Sequence, residues 1–316
     1  MFNRPRRPRG AAFGGPLTAA ALALAMIPNA AWACACGCGV FDVGTSSMFP
    51  SGAGGMAFVE YDYMNQNRNW SGSSSAPAAN NSDKKIETSF VTAGAQYMIN
   101  RDWGVMAEIP YWDRNFTTTT DAGNIASFQH SSIGDVRLMG MYTGLSADMS
   151  TGILFGAKLP TGDYTYPNFD RDTEIGTGST DTLLGAYHMG ALTTDGAWDW
   201  FGQVMWDQPV LFRGGYHPGA ETDAAVGVYY NGWTLGSNAK IAPLLQLIGS
   251  YRSPDNGPAG DPFNTGYSRV LIAPGVELDV GAAKIYADVE PPIYQDMRGN
   301  QLVAQELVKV IVSYGF

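Results

Sequence analysis

The chain has 316 residues and a formal net charge of -10, from 19 basic and 29 acidic side chains. Nucleic-acid binding needs a basic patch, so this balance argues against nucleic acid as a partner. Only 15% of the residues are charged, below the roughly 25% of soluble domains, while a mean hydropathy of -0.11 excludes a bundle of membrane helices. Strands that alternate apolar and polar side chains reconcile these values.

The N-terminus has the pattern of an export signal. Four arginines within the first nine residues precede an apolar stretch at 17–27, which is too short to cross a bilayer as a helix. Ala31 and Ala33 form an A-x-A cleavage site before Cys34. Residues 1–33 are therefore predicted to be a signal peptide, removed during ordinary secretory export.

All three cysteines lie in the motif CACGC, at Cys34, Cys36 and Cys38. Three interpretations stay open: a disulfide or redox role, contact with a soft metal such as Cu(I) or Zn, and lipid attachment to Cys34. The CxxCH pattern of covalent haem is absent from the motif. Residues 34–55 are predicted to be a Cys/Gly-rich periplasmic segment that enters the barrel lumen or covers its periplasmic mouth.

Residues 56–316 are predicted to be all-β, a transmembrane antiparallel up-and-down β-barrel of about 12 strands. The strand candidates lie near 56–64, 85–99, 103–115, 132–145, 150–160, 179–192, 198–210, 221–231, 240–252, 268–280, 283–291 and 301–316. Long connections at 65–84, 117–131, 161–178 and 251–267 alternate with short ones at 100–102, 146–149 and 193–197. This alternation is typical of extracellular loops and periplasmic turns. Residues 65–84 carry too little apolar surface to order themselves, so we predict a mobile loop.

The chain ends on Tyr314 and Phe316, preceded by valines at every second position. This ending resembles the signal by which outer-membrane barrels are recognised. It predicts the barrel assembly machinery and outer-membrane lipid as partners, and a location in the outer membrane of a Gram-negative bacterium.

Charged side chains recur on the polar face of the predicted strands, where they would face the lumen. They could set the selectivity of a pore or pair with one another to fill a narrow barrel. The predicted lumen residues are Glu108, Arg114, Asp135, Arg137, Lys158, Asp199, Asp207, Arg252, Arg269, Glu277, Asp279, Lys284, Asp288, Glu290 and Lys309.

Four short motifs resemble a known family. FGAKLPTGDY at 155–164, GTGSTD at 176–181, AEIPYWDRNF at 107–116 and SIGDVRL at 132–138 are similar to segments of the transporter-like barrel family named for the meta-pathway of phenol degradation. The resemblance covers roughly residues 50–316. It implies an outer-membrane channel for hydrophobic or aromatic compounds, with passive uptake through a lumen or a lateral opening.

No spacing typical of an active site accompanies these motifs. His130, His188 and His217 are scattered along the sequence and are predicted to be ordinary surface residues. We expect no enzyme activity and no cofactor other than a metal at the cysteines. The first hypothesis is a passive, porin-like channel for small, hydrophobic or aromatic molecules. The alternatives are a barrel that presents CACGC for metal handling or to a redox partner, and a plugged structural anchor.

Overall fold

The computed structural model describes residues 48–50, 52–231, 233–236 and 239–316. Within them, fifteen strands join into one antiparallel sheet. The strands are β1 (Gly54–Gly72), β2 (Ser74–Ser75), β3 (Asp83–Met98), β4 (Trp103–Thr119), β5 (Ile125–Ile133), β6 (Val136–Tyr142), β7 (Thr151–Leu159), β8 (Thr180–Ala191), β9 (Trp198–Leu211), β10 (Glu221–Tyr230), β11 (Trp233–Leu235), β12 (Ala239–Arg252), β13 (Tyr267–Val280), β14 (Ala283–Val289) and β15 (Pro292–Gly315). A short 3₁₀ turn spans Ala78–Asn80.

The sheet closes on itself as a twelve-stranded barrel, which confirms the predicted fold class. β15 pairs with both β1 and β14, and β10 pairs with β12, so neighbouring strands form a continuous ring. β2 and β11 are short additions to longer strands, while β5 and β6 follow one another along β4 and occupy one position in the ring. Closure pairs both edges of the strands around the ring, while β5, which extends beyond it, pairs with β4 alone.

The outer face of the barrel carries an apolar band. Along β4 the exposed side chains are Trp103, Val105, Ile109 and Tyr111, and the face becomes polar at Asp113. The band thus covers about nine residues of strand, the length that a tilted strand needs to cross a bilayer. The remainder of β4 extends beyond the membrane on the extracellular side.

Aromatic side chains lie at both margins of this band. Trp103 contacts Tyr142 and Trp198 contacts Tyr230 at the periplasmic margin, with ring centroids 4.8 and 5.1 Å apart. At the extracellular margin, Tyr111 is exposed, as are Trp206 and Tyr251. Such girdles are typical of barrels whose exterior faces lipid.

Two predicted loops are strands instead. β1 continues to Gly72 and pairs with β15 up to that residue, so the prediction of a loop was wrong for residues 65–72, whereas residues 76–82 form a connection with a short 3₁₀ turn. β4 and β5 form a hairpin through most of 117–131. Backbone pairing to adjacent strands orders both segments without the apolar burial whose absence suggested loops.

The predicted signal peptide and Cys34, Cys36 and Cys38 lie outside the described residues. No helix among the residues that the structure describes is long and apolar enough to span a membrane.

Candidate functional site: the barrel lumen

The barrel encloses a cavity of about 160 Å³. An apolar cavity of about 150 Å³ is large enough to bind benzene, so the space suits a molecule with one aromatic ring. Its apolar walls come from methionine, leucine and aromatic side chains on β1, β3, β4, β6, β7, β8 and β9. They are Phe58, Phe90, Met106, Trp112, Met139, Met141, Leu154, Leu183, Tyr187 and Met205.

Glycines on the inner face make room for these long side chains. At Gly104, an added Cβ would lie 2.5 Å from the Met98 sulfur and 2.9 Å from the terminal methyl of Met141. At Gly185, it would lie 2.9 Å from the terminal methyl of Met205. Methionine is unbranched and flexible, so a wall of this kind can adapt to ligands of different outline.

The inward-facing Met106, Met139, Met141 and Met205 form what we call the methionine layer. A layer of charged side chains lies on its extracellular side. Lys158 Nζ lies 2.5 Å from Asp181 Oδ2 and 2.8 Å from Asp207 Oδ2. On the adjacent strands, Arg137 Nη1 lies 3.8 Å from Glu108 Oε2. Each lysine or arginine here has a carboxylate neighbour, as expected where charges leave bulk water.

A second ionic cluster surrounds Lys309, which is 3% exposed. Its Nζ atom lies 3.7 Å from Asp62 Oδ1 and 3.8 Å from Glu60 Oε1, and it faces Asp288 across the β14–β15 pair. Among the described residues, no group of three or more His, Cys, Asp or Glu side chains is placed to hold a metal ion.

The periplasmic side of the cavity is bounded by a segment that precedes β1. Met48, Phe49 and Pro50 line the cavity, and the Phe49 ring stacks on Tyr187 with centroids 4.2 Å apart. We call residues 48–50 the floor. Phe49 also lies 6.4 Å from the Phe201 ring, so the floor is anchored by aromatic packing to β8 and β9.

The extracellular side is bounded by the connection between β7 and β8, residues 160–179, which we call the roof. Ile175 and Thr177 line the cavity from this connection. The roof also packs outside the cavity: Tyr166 stacks on His130 with centroids 3.7 Å apart, and Phe169 lies 5.5 Å from Phe116.

A cluster of hydrogen bonds joins the roof to the connection between β5 and β6. Asp135 Oδ1 accepts from the Gly162 backbone at 3.0 Å, and Oδ2 accepts from the Thr177 backbone and hydroxyl at 2.8 and 2.6 Å. Thr161 Oγ1 donates to Gly134 O at 2.8 Å and accepts from the Val136 backbone at 2.9 Å. We call this cluster the clasp.

Three glycines let the clasp close. An added Cβ on Gly162 would lie 2.8 Å from Gly176 Cα and 3.1 Å from Gly134 Cα, both backbone atoms that cannot rotate away. Gly134, Gly162 and Gly176 come from the motifs SIGDVRL, KLPTGDY and GTGSTD respectively. The clasp therefore brings together three segments that are far apart in sequence.

Arg114 holds the inner part of the roof. Its side chain is fully buried, with Nη1 donating to Thr173 O at 2.5 Å and Glu174 O at 3.1 Å, and Nε donating to Thr88 at 2.9 Å. Burial raises the pKa of Glu174 to about 7, although the Tyr166 backbone hydrogen bond and the charges of Arg171 and Arg114 oppose the shift. The roof thus contains a carboxyl group that titrates near neutral pH.

Two further extracellular connections pack beside the roof. Asp255 accepts from Tyr216 at 2.6 Å, from the Gly219 backbone at 2.8 Å and from Arg252 at 2.7 Å. Burial raises the pKa of the Tyr216 hydroxyl, and the nearby Asp255 carboxylate adds to the shift. Arg171 of the roof lies over the Tyr216 ring at 4.5 Å, which joins the roof to these connections.

The structure distributes the predicted lumen residues over several sites inside the barrel. Lining the cavity are Glu108, Asp135, Arg137, Lys158, Asp207 and Arg252. Elsewhere on inward-facing strand positions are Arg114, Asp199, Arg269, Glu277, Asp279, Lys284, Asp288 and Lys309. Glu290 is buried in the short connection between β14 and β15. Lys284 binds Glu277 at 3.0 Å and Asp279 at 3.4 Å.

Sequence reasoning missed several parts of the site. Gln96 and the inward methionines carry no charge and were not singled out, although the two-residue alternation of β3 and β4 places them on the inner face. His130 was expected to be an ordinary surface residue, but it is only 9% exposed because Tyr166 of the roof covers it. Neither the roof contact nor the clasp is local in sequence.

Comparison with known protein families found no match, and comparison with curated proteins found none either. Among solved structures, an outer membrane channel from Pseudomonas putida F1 aligns with a TM-score of 0.62 and 12% identity, covering 87% of this chain and 100% of that chain. The β domain of the Bordetella autotransporter BrkA aligns with a TM-score of 0.49, 12% identity and coverage of 83% and 100%. The Pseudomonas putida toluene transporter TodX aligns with a TM-score of 0.40, 11% identity and coverage of 90% and 96%. The likeness to the first establishes the fold, an outer-membrane β-barrel.

Proposed function

We propose that the protein is a passive outer-membrane channel for small hydrophobic molecules, including aromatic ones. The cavity carries this proposal, because methionine and aromatic side chains enclose a space for one ring inside a membrane-spanning barrel. The implied relation to the phenol meta-pathway barrels agrees with this cargo. The channel performs no covalent chemistry.

The floor and the roof control passage. A solute that enters from outside must displace the roof, and it must displace the floor to reach the periplasm. The roof depends on polar contacts at the clasp, whereas the floor depends on the stacking of Phe49 on Tyr187. Because these contacts are separate, each barrier can open while the other stays closed.

Outer-membrane lipid and the barrel assembly machinery are the proposed partners. The terminal residues support the second of these: Tyr314 and Phe316 are exposed on the outer face at the periplasmic end. Phe316 exchanges two backbone hydrogen bonds of 2.8 Å with Gly55, and so extends the β1–β15 seam that closes the barrel.

Ion current through the cavity provides the test. The purified protein is reconstituted in planar bilayers, and the current is recorded while 2-phenylethanol is added. We expect a small current that falls as the alcohol occupies the cavity. Small apolar solutes cross lipid unaided, so block of an ion current is more informative than their flux.

Two adjacent residues of β6 give matched variants. Met139 lines the cavity, whereas Leu138 is 48% exposed on the outer face. Met139→Trp should fill the cavity and remove both current and block, and Leu138→Trp should leave both unchanged. Equal behaviour of the two variants, or no current from any folded form, would contradict the proposal.

A further inference from the structure

Hydrogen-bond acceptors and negative charge dominate the polar part of the cavity. Seven carboxylate side chains line it, against three lysine or arginine side chains. The three basic groups are all engaged: Lys158 with Asp181 and Asp207, Arg137 with Glu108, and Arg252 with Asp255 outside the cavity. This excess of carboxylates lowers the potential inside the cavity, which attracts cations and repels anions.

An uncharged acceptor lies within the methionine layer. Gln96 is 5% exposed and lines the cavity, and its amide oxygen has no hydrogen-bond partner among the described residues. It is level with Met106 and Met139, since the pairing joins Gln96 to Met106 and Met106 to Met139. A buried acceptor in an apolar wall needs a donor, from a ligand or from water.

Glu108 lines the cavity one inward position beyond the methionine that pairs with Gln96. It projects from the same face of β4 as Met106, two residues further along, and therefore about 7 Å towards the extracellular side. Gln96 offers one acceptor to a ligand head group and Glu108, which also faces Arg137 at 3.8 Å, offers a second, while the methionine layer contacts the apolar body of the ligand. An amide oxygen and a carboxylate match the several N–H donors of an ammonium group.

Aromatic rings also contribute to the environment of the cavity, and two of them already have one face covered, Trp112 by Arg114 at 5.1 Å and Tyr187 by Phe49 at 4.2 Å. Phe58, Phe90, Trp112 and Tyr187 line the same cavity. The negative face of an aromatic ring attracts an ammonium group, and more strongly where water is excluded. No comparable environment favours a carboxylate, because every basic side chain in the cavity already has an acidic neighbour.

Building on the proposed channel function, we propose that the cavity selects small organic cations, with a protonated amine on an apolar body about one ring in size. Gln96 and Glu108 receive the amine, and the methionine layer receives the body. Neutral molecules with a single donor bind more weakly, and carboxylates are excluded. Gln96 is thus a specificity-determining residue.

Three probes with one apolar body test the selectivity. Binding of 2-phenylethylamine, 2-phenylethanol and phenylacetate is measured by titration calorimetry with the protein in lipid nanodiscs, and empty nanodiscs correct for partition into lipid. We expect the amine to bind at least tenfold more tightly than phenylacetate, with the alcohol between them. Phenylacetate binding as tightly as the amine would overturn the proposal.

Variants assign the head-group contacts. Gln96→Leu should weaken binding of the amine and the alcohol by about tenfold, and Glu108→Gln should weaken the amine alone. Gln129→Leu, at an exposed position of β5, is the matched control and should change neither. Unchanged amine affinity in Gln96→Leu, with heat-modifiable gel migration showing a folded barrel, would mean that water satisfies Gln96 and would refute its role.

The binding and current measurements together distinguish failure of the amine site from failure of the channel function. Amine binding in nanodiscs without any ion current would refute the channel and leave the amine site standing. A current that phenylacetate and the amine block equally well would refute the amine site and leave the channel standing.

Discussion

Asp135 is the residue on which closure of the roof most depends. Its carboxylate accepts three hydrogen bonds from the roof, and bonds to a charged acceptor are among the stronger ones in proteins. No other described side chain bonds residues near both ends of the roof to the connection between β5 and β6.

Asp135→Asn should loosen the roof. An asparagine oxygen can replace only part of this set, and its NH₂ group would face the backbone donors of Gly162 or Thr177. We expect the closed roof to lose about 3 kcal/mol, seen as a higher open fraction in single-channel records. Asp121→Asn removes an exposed carboxylate in the β4–β5 turn and should have no effect; similar opening in both variants would contradict the role of the clasp.

Gly162→Ala should disrupt the same cluster sterically. The new methyl group would meet backbone atoms of Gly176 and Gly134, and overpacking of this kind typically costs about 1–3 kcal/mol. Gly249→Ala is the control, since a Cβ there meets nothing within 4 Å. Protease sensitivity of the roof measures the difference, and equal resistance in the two variants would show that the glycine contact is not needed.

Glu174 should make the roof sensitive to pH. Its pKa is raised from 4.5 to about 7, so the folded roof binds a proton more tightly than the released roof does. The stabilisation is complete below about pH 4.5 and is lost as pH rises through about 7. Neighbouring charged groups are Arg114, Arg171 and Asp163, and the last contacts His130 at 3.2 Å.

Recordings at several pH values test this sign. The open fraction should rise between about pH 4.5 and pH 7, and Glu174→Gln should remove most of that rise because its amide stays neutral. An unchanged pH profile in the variant would contradict the role of Glu174.

At the scale of elements, the floor is the simplest barrier to remove. Phe49→Ala deletes the ring stacked on Tyr187 and should increase conductance while the barrel stays folded, because no barrel strand includes Phe49. Phe263→Ala removes a ring that is 75% exposed in the β12–β13 connection and serves as the control. A Phe49→Ala channel with unchanged conductance would show that the floor does not limit passage.

Element by element, the sequence was informative where one strand carries its own pattern. The alternation of Trp103, Val105, Ile109 and Tyr111 predicted β4 and its lipid-facing side, because a strand in a barrel needs no distant partner to define its two faces. The break between β5 and β6 was not predicted. It depends on contacts with the roof. Thr161 of the roof bonds to Gly134, and only the folded chain brings these two residues together.

For the molecule as a whole, composition predicted the barrel, while the order of long and short connections predicts that its short turns face the periplasm. The cavity could not be predicted in the same way, because its walls come from nine strands and its ends from two segments that fold inwards. Alternation was enough to identify charged side chains at single inward positions. Which acceptor side chains lie near Gln96 depends on the register of the whole sheet.

Single-channel recording of a variant with both barriers weakened shows whether the floor and the roof together close the lumen. The unmodified protein, Phe49→Ala, Asp135→Asn and the double variant are compared in planar bilayers, with heat-modifiable gel migration confirming a folded barrel in each. A gated passage predicts a small conductance for the unmodified protein and a clearly larger one for the double variant than for either single change. A folded double variant that passes no current would contradict the account, since the lumen would then be closed by more than the floor and the roof.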